Sequence, residues 1–174
     1  MGQTAEEVAT RYHISREDQD AFALERQRRT ARAMAESRFA DEIAPVEITD
    51  RRGRVTRVER DEHPRPDTTD QTLAELRPAF QDGGSVTAGS SSGINDGASA
   101  ALVMSAAAAK AARLTPMARI LASASAGVAP EIMGVGPVPA MRKALARAGL
   151  SVADLDLIEL NEAFAAQALA DGRE

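Results

Sequence analysis

The 174-residue chain has no cysteine and no tryptophan, and its aromatic residues are one tyrosine and four phenylalanines. The missing cysteine excludes a disulfide framework, a thiolate zinc site and a cysteine nucleophile within these residues. So few aromatics leave almost no platform on which nucleic-acid bases could stack. The formal charge of -5 argues in the same direction, against a polyanionic partner. No apolar run approaches the roughly 18 residues that a membrane span needs. The opening Met-Gly-Gln-Thr-Ala-Glu-Glu carries neither a basic nor an apolar targeting region. A cytoplasmic protein that binds neither nucleic acid nor membrane is therefore expected. The two histidines, His13 and His63, are isolated from each other along the chain. They read as ordinary surface or hydrogen-bonding residues, and no metal site is expected.

What is present is a 44% hydrophobic composition dominated by small side chains, enough for one sizeable core or two small ones. Residues 1–50 are charged and helical in pattern. Ser15-Arg16-Glu17-Asp18 reads as a capping box opening a helix to about Ser37, with Glu25 four residues before Arg29 for an ion pair. The helix arginines Arg26, Arg28, Arg29 and Arg32 read as a solvated face rather than a ligand patch. Ile43, Val46 and Ile48, then residues 54–58, alternate at period two around Asp-Arg-Arg-Gly, which predicts a hairpin.

Residues 60–93 are rich in Pro, Asp, Thr, Gly and Ser, yet Leu73, Leu76 and Phe80 keep helical spacing, and a loop this long inside a compact chain is usually functional. Beyond residue 93 the chain is Ala-rich and alternates strand-like stretches (98–105, 118–126, 155–160) with helical ones (106–112, 137–148). The latter helix begins at Pro137 and is closed by Gly149. Alternation of this kind predicts a layered α/β fold.

Two places concentrate groups that can do chemistry. Residues 87–98, Thr-Ala-Gly-Ser-Ser-Ser-Gly-Ile-Asn-Asp-Gly-Ala, would let a ligand approach the backbone closely, or form a tight structural turn. The loop lacks the Lys-Ser/Thr ending of a phosphate loop, and Gly-Val-Gly at 134–136 lacks a dinucleotide fingerprint. Asn161 and Glu162 follow an apolar stretch expected to be a strand, where α/β folds place their sites; Asn161 could serve an oxyanion or simply cap a helix. Read on residues alone, the chain is an α/β module with a small-residue loop and a polar strand end.

At these same places the chain resembles the thiolase family. The matching motifs run in order: Met-Gly-x-Thr-Ala-Glu at residues 1–6, Ser-Arg-Glu-x-Gln-Asp-x-Phe-Ala at 15–23, Phe-Ala-Asp-Glu-Ile-x-Pro-Val at 39–46 and Arg-x-Asp-Thr-Thr at 65–69. Ser-Gly-Ile-Asn-Asp-Gly-Ala at 92–98, Glu-Ile-Met-Gly-x-Gly-Pro at 131–137 and Asn-Glu-Ala-Phe-Ala at 161–165 complete them. The resemblance implies an αβαβα layered fold, here incomplete. Residues 1–93 would be an α/β loop domain that covers coenzyme A and builds a tetramer, 94–116 the end of the N-terminal core domain, and 117–174 the truncated start of the C-terminal one. The last four residues, 171–174, depart from the family pattern, as a truncation or frameshift would make them.

The resemblance also implies acyl transfer between coenzyme A and a carbon nucleophile, in the synthetic direction or in fatty-acid-type thiolysis, with acyl-CoA as substrate and no covalently bound cofactor. Such a reaction uses a nucleophilic cysteine, a histidine that activates it and a second cysteine. Only Asn161, expected to position the water of an oxyanion hole, is among these residues, so the chain alone is expected to be inactive. For coenzyme A, the resemblance implies Arg65 near the nucleotide end with Thr72 beside it, and Phe80 against the adenine or pantetheine side. Ala88 and Ser92 would line the pantetheine channel, and Met1, Met133, Ala163 and Phe164 would form apolar walls toward the thioester. Ser90 stands where the family commonly has Asn. The alternatives are a non-catalytic coenzyme A-binding or oligomerisation module and a condensing enzyme of the ketoacyl synthase type; the Asn-Asp-Gly-Ala and Asn-Glu-Ala-Phe motifs favour thiolase over the latter. Unpaired apolar edges at 98–105 and 155–160 are expected to make the isolated chain poorly soluble or loosely oligomeric.

Overall fold

A computed structural model describes all residues 1–174. Helix α1 (Gly2–Arg11) turns sharply at Tyr12 and His13 into helix α2 (Arg16–Ala35). Ser15 caps α2 as expected: its hydroxyl accepts from the Asp18 amide at 3.0 Å while the Asp18 carboxylate accepts from the Ser15 amide at 3.3 Å. The Ser15 amide, with help from the Ser15 hydroxyl and Arg173, holds Asp18 below the usual carboxylate range. Glu25 accepts from Arg29 at 2.7 Å, the predicted pair one turn apart.

The hairpin forms as strands β1 (Val46–Thr49) and β2 (Val55–Val58), antiparallel, with Val46 opposite Val58 and Ile48 opposite Thr56. It is the chain's only sheet, and Val46, Ile48 and Val55 are all exposed, so nothing covers it. Helix α3 (Asp70–Ala74) is capped by Thr69 and is shorter than the Leu73, Leu76, Phe80 spacing suggests. Arg16 ends it by donating to the carbonyls of Leu73 and Leu76 at 2.7 and 3.0 Å, and Phe80 lies beyond the helix. Short helix α4 (Ala106–Ala111), a 3₁₀ stretch over Pro130–Val135, helix α5 (Pro137–Ala148, closed by left-handed Gly149), a 3₁₀ turn over Val152–Asp154 and helix α6 (Ala165–Arg173) complete the order.

The core is small and double. One part joins α1, the 3₁₀ stretch and α6 through Val8, Val135 and Ala170, with Ala9, Ile14 and Ala166 beside them; the other joins α2 and α3 through Ala23, Leu24 and Leu73. The three stretches expected as strands, 98–105, 118–126 and 155–160, are not strands. They run without ladder partners, and Leu102, Val103, Ile120, Leu121, Leu157 and Ile158 are exposed. A strand exists only beside another strand, and none lies along them. Residues 155–160 are therefore neither paired nor buried.

A compact protein of 18.4 kDa exposes roughly 8,200 Å², whereas this chain exposes 13262 Å². Many large apolar side chains contribute to the excess, among them Ile94, Leu102, Met117 and Leu157. No helix is long and apolar enough to cross a membrane.

Candidate functional site

The loop through residues 84–92 is held on nearly every side, which a passive linker is not. Glu6 on α1, only 5% exposed, supports its start: the carboxylate accepts from the Ser85 amide at 3.0 and 2.9 Å, the Ser85 hydroxyl at 3.1 Å and the Val86 amide at 2.9 Å. Fully buried Gln19 on α2 donates to the Ser85 hydroxyl at 2.9 Å. Within the loop, Ser90 is fully buried; its hydroxyl accepts from the Thr87 amide at 2.9 Å and donates to the Thr87 carbonyl at 3.3 Å, while the Ser91 hydroxyl donates to that carbonyl at 2.6 Å. A serine at position 90 thus closes the turn by itself. Gly89 sits so close to α3 that a Cβ there would lie 2.5 Å from Leu73 Cδ2.

This loop pairs with the segment after Asn161. The Ser92 amide donates to the Ala163 carbonyl at 2.9 Å and the Ala165 amide to the Ser90 carbonyl at 2.8 Å, which makes Ser91 and Phe164 antiparallel partners. Phe164 meets Phe80 edge-on with ring centroids 5.9 Å apart. Phe80 in turn rests on Gly2, so close that a Cβ there would fall within 2.0 Å of the ring, and Met1, 70% exposed, stands next to it at the head of α1.

Of the residues singled out in the sequence, Phe80, Ser92, Ala163 and Phe164 are thus brought together, with Met1 adjoining. Ala88 lies exposed on the loop, and Met133, on the 3₁₀ stretch against α1, is 46% exposed. Asn161 is exposed and is not a helix cap, since α6 is headed by Phe164.

Arg65 and Thr72 stand apart from this group. The Arg65 amide donates to Gln27 Oε1 at 2.8 Å, and its guanidinium donates to the Glu62 carbonyl at 2.8 Å, leaving much of the exposed side chain available. Thr72 is the reciprocal partner of Thr69 in the α3 cap, with its amide donating to the Thr69 hydroxyl at 3.1 Å and its own hydroxyl accepting from the Thr69 amide at 2.9 Å. Its hydroxyl also donates to the Thr69 carbonyl at 3.0 Å, so it has no free donor.

One expectation about the arginines changes. Arg26 is not part of a solvated face: it donates to the Gly89 carbonyl at 3.2 Å and lies 4.0 Å from Glu162, while Arg28, Arg29 and Arg32 do face solvent. His63 is exposed, as an ordinary surface histidine would be, and its ring lies against Gly93. Glu6 and Gln19 were missed, since their partners lie 79 and 66 residues away and no local pattern marks a carboxylate or amide that is to be buried.

The chain matches the family model described as "Thiolase, N-terminal domain" over residues 1–107 and that described as "Thiolase, C-terminal domain" over 114–174. It is 55% identical over 174 residues to a 3-oxoadipyl-CoA/3-oxo-5,6-dehydrosuberyl-CoA thiolase of Escherichia coli K12 and 55% identical to an acetyl-CoA acetyltransferase of Pseudomonas aeruginosa. Both matches include all of this chain and 43% and 44% of those proteins. Residues 171–174, which depart from the motifs, lie within both matches. Among solved structures, the Bacillus anthracis acetyl-CoA acetyltransferase superposes with a TM-score of 0.92 at 47% identity, over 99% of this chain and 44% of that one. The human mitochondrial 3-ketoacyl-CoA thiolase does so with a TM-score of 0.87 at 45% identity. The chain thus spans less than half the length of the proteins it matches.

Proposed function

This chain belongs to the thiolase family, and we propose that it forms the coenzyme A-covering part of an enzyme that moves acyl groups between coenzyme A and a carbon nucleophile. The observation that carries this reading is the pairing of the Ser/Gly loop with residues 163–165 beside the Phe80 and Phe164 rings. It produces an apolar edge next to exposed backbone and hydroxyl groups, suited to a long, thin pantetheine arm. In this reading Ala88 and Ser92 flank the arm and Met1, Met133, Ala163 and Phe164 wall the acyl end. Phe80 packs against the adenine or pantetheine, and Arg65, with Thr72 beside it, meets the nucleotide phosphates, for which a fixed guanidinium is suited. Asn161 positions the water of the oxyanion hole.

Residues 1–93 act as the loop domain, 94–116 close the N-terminal core domain and 117–174 open the C-terminal one. The uncovered β1–β2 hairpin is the surface through which a cytoplasmic homotetramer assembles. The acyl-enzyme needs a thiolate, and these residues contain no cysteine. The chain by itself therefore binds coenzyme A without turnover. That same absence favours a second reading, a non-catalytic coenzyme A-binding module, which shares the ligand surface and differs only in lacking a cysteine-bearing complement.

Calorimetric titration of the chain with coenzyme A tests both. Saturable binding that Phe80→Ala weakens by about tenfold or more is expected from the lost ring contact. A well-folded chain that takes up no coenzyme A contradicts both readings.

A further inference from the structure

Among the charged side chains outside the residues assigned to the ligand, Arg26 occupies an unusual position. It projects from the middle of α2, with its side chain 24% exposed, into the seam between the Ser/Gly loop and the segment carrying Asn161. On either side of Gly89 the turn satisfies two carbonyls through the loop and its partner segment: Thr87 receives the hydroxyls of Ser90 and Ser91, and Ser90 receives the Ala165 amide. The Gly89 carbonyl has none from the loop itself, and Arg26 Nη2 supplies it at 3.2 Å. The other terminal nitrogen, Nη1, lies 4.0 Å from Glu162 Oε2, a charge contact longer than a hydrogen bond, to the residue that follows Asn161.

We propose that Arg26 is a positioning residue that locks the Ser/Gly loop to Asn161 and Glu162 by holding the Gly89 carbonyl and the Glu162 carboxylate with one guanidinium. The contacts form a closed ring: Gly89 leads to Ser90 and Ser92, these are bonded to Ala165 and Ala163, the chain runs back to Glu162, and Arg26 joins Glu162 to Gly89. A guanidinium holds five donors in a fixed planar fork, which suits it to serve two acceptors in different directions at once. The next residue of the helix, Gln27, accepts from the Arg65 amide, so one turn of α2 sets both the loop and the segment that carries Arg65. The geometry of this clamp is independent of any ligand, but its consequence for coenzyme A rests on the function proposed above.

The test is residue-resolved amide hydrogen exchange on the full chain, comparing Arg26→Ala, Arg26→Lys, Glu162→Gln and the Ala/Gln double variant with the unaltered protein. In Arg26→Ala the Ser92 and Ala165 amides are expected to exchange roughly fivefold faster or more, the loss of one net hydrogen bond, while α1 and α5 keep their protection. Arg26→Lys falls between, since it keeps the charge and one reach but not the fork. Glu162→Gln adds nothing once Arg26 is gone, a non-additivity that plain loss of packing would not produce.

Unchanged exchange at Ser92 and Ala165, or acceleration spread equally over all helices, overturns the proposal. Should Arg26→Ala fail to fold, Arg26→Lys decides, because exchange identical to the unaltered chain overturns the fork. Titration with coenzyme A is read separately, with weaker binding expected in Arg26→Ala. If the unaltered chain binds no coenzyme A, the functional reading fails, and the exchange data still settle the clamp.

Discussion

Replacing Glu6 with Gln changes one oxygen into an amino group and almost nothing else in shape, so its effect isolates the buried carboxylate. Oε1 accepts from the amides of Ser85 and Val86, and Oε2 accepts from the amide and hydroxyl of Ser85. Whichever way the new amide is turned, its NH₂ faces an N–H it cannot accept from. The side chain is 5% exposed and its carboxylate lies against Gly84, where only the lack of a Cβ admits it, so little space is left for it to swing aside. A hydrogen bond to a charged group is worth about 1.5–3 kcal/mol net, and a buried donor left without a partner costs about 1–3 kcal/mol. The two costs overlap, since both describe the same lost contact, so the expected loss is about 2–4 kcal/mol, concentrated where α1 meets the loop. At about 1.4 kcal/mol per tenfold, the Ser85 and Val86 amides should exchange at least about thirtyfold faster in Glu6→Gln, measured by amide hydrogen exchange. A change under about threefold at both amides, with the chain still folded, would refute the reasoning.

Gly2→Ala should push the Phe80 ring off α1 and part it from Phe164, since a Cβ at residue 2 would fall 2.0 Å from Phe80 Cγ. A loss of about 1–3 kcal/mol, the usual cost of overpacking, should appear as a lower urea midpoint. Asp171 has its carboxyl raised above the ordinary range by burial, with the Gln167 amide at 2.5 Å pulling the other way. A raised folded-state value means that this group's contribution is present below the unfolded value and lost as pH rises through the folded one. Asp171→Asn should remove that fall in stability just above the normal aspartate range, and a slope unchanged in urea melts across pH would contradict the assignment.

What the sequence revealed and what it hid divide by distance along the chain. The Ser15 and Asp18 box, the Arg-Arg-Gly hairpin turn and the α5 helix between Pro137 and Gly149 depend on groups within four residues or on single-residue backbone preferences, and all formed as expected. Residues 155–160 have the composition of a buried strand, but a ladder needs a neighbour, and composition carries no information on whether one is there. At the site, the Ser/Gly loop was visible from its small residues, Ser92, Ala163 and Phe164 from the family motifs, and Phe80 from the wider family resemblance. Its supports were not visible. Glu6 looks like one more acidic residue of a surface helix and Arg26 like one of four helix arginines, until the fold brings them against a loop more than 60 residues away. The exposed Val46, Ile48, Leu102, Val103, Ile120 and Leu157 bear on stability as well. They lead to the expectation that the isolated chain self-associates, which a sharp monomeric sedimentation boundary would contradict.

The central claim is most directly tested by a chimera in which residues 1–174 replace the matching 43% of the Escherichia coli 3-oxoadipyl-CoA thiolase, assayed for thiolysis of a 3-oxoacyl-CoA. A folded chimera that turns over is expected, and one that loses about a hundredfold or more in kcat on Asn161→Ala, the usual cost of disabling an oxyanion hole. A folded chimera without thiolysis, or one indifferent to Asn161, would contradict it.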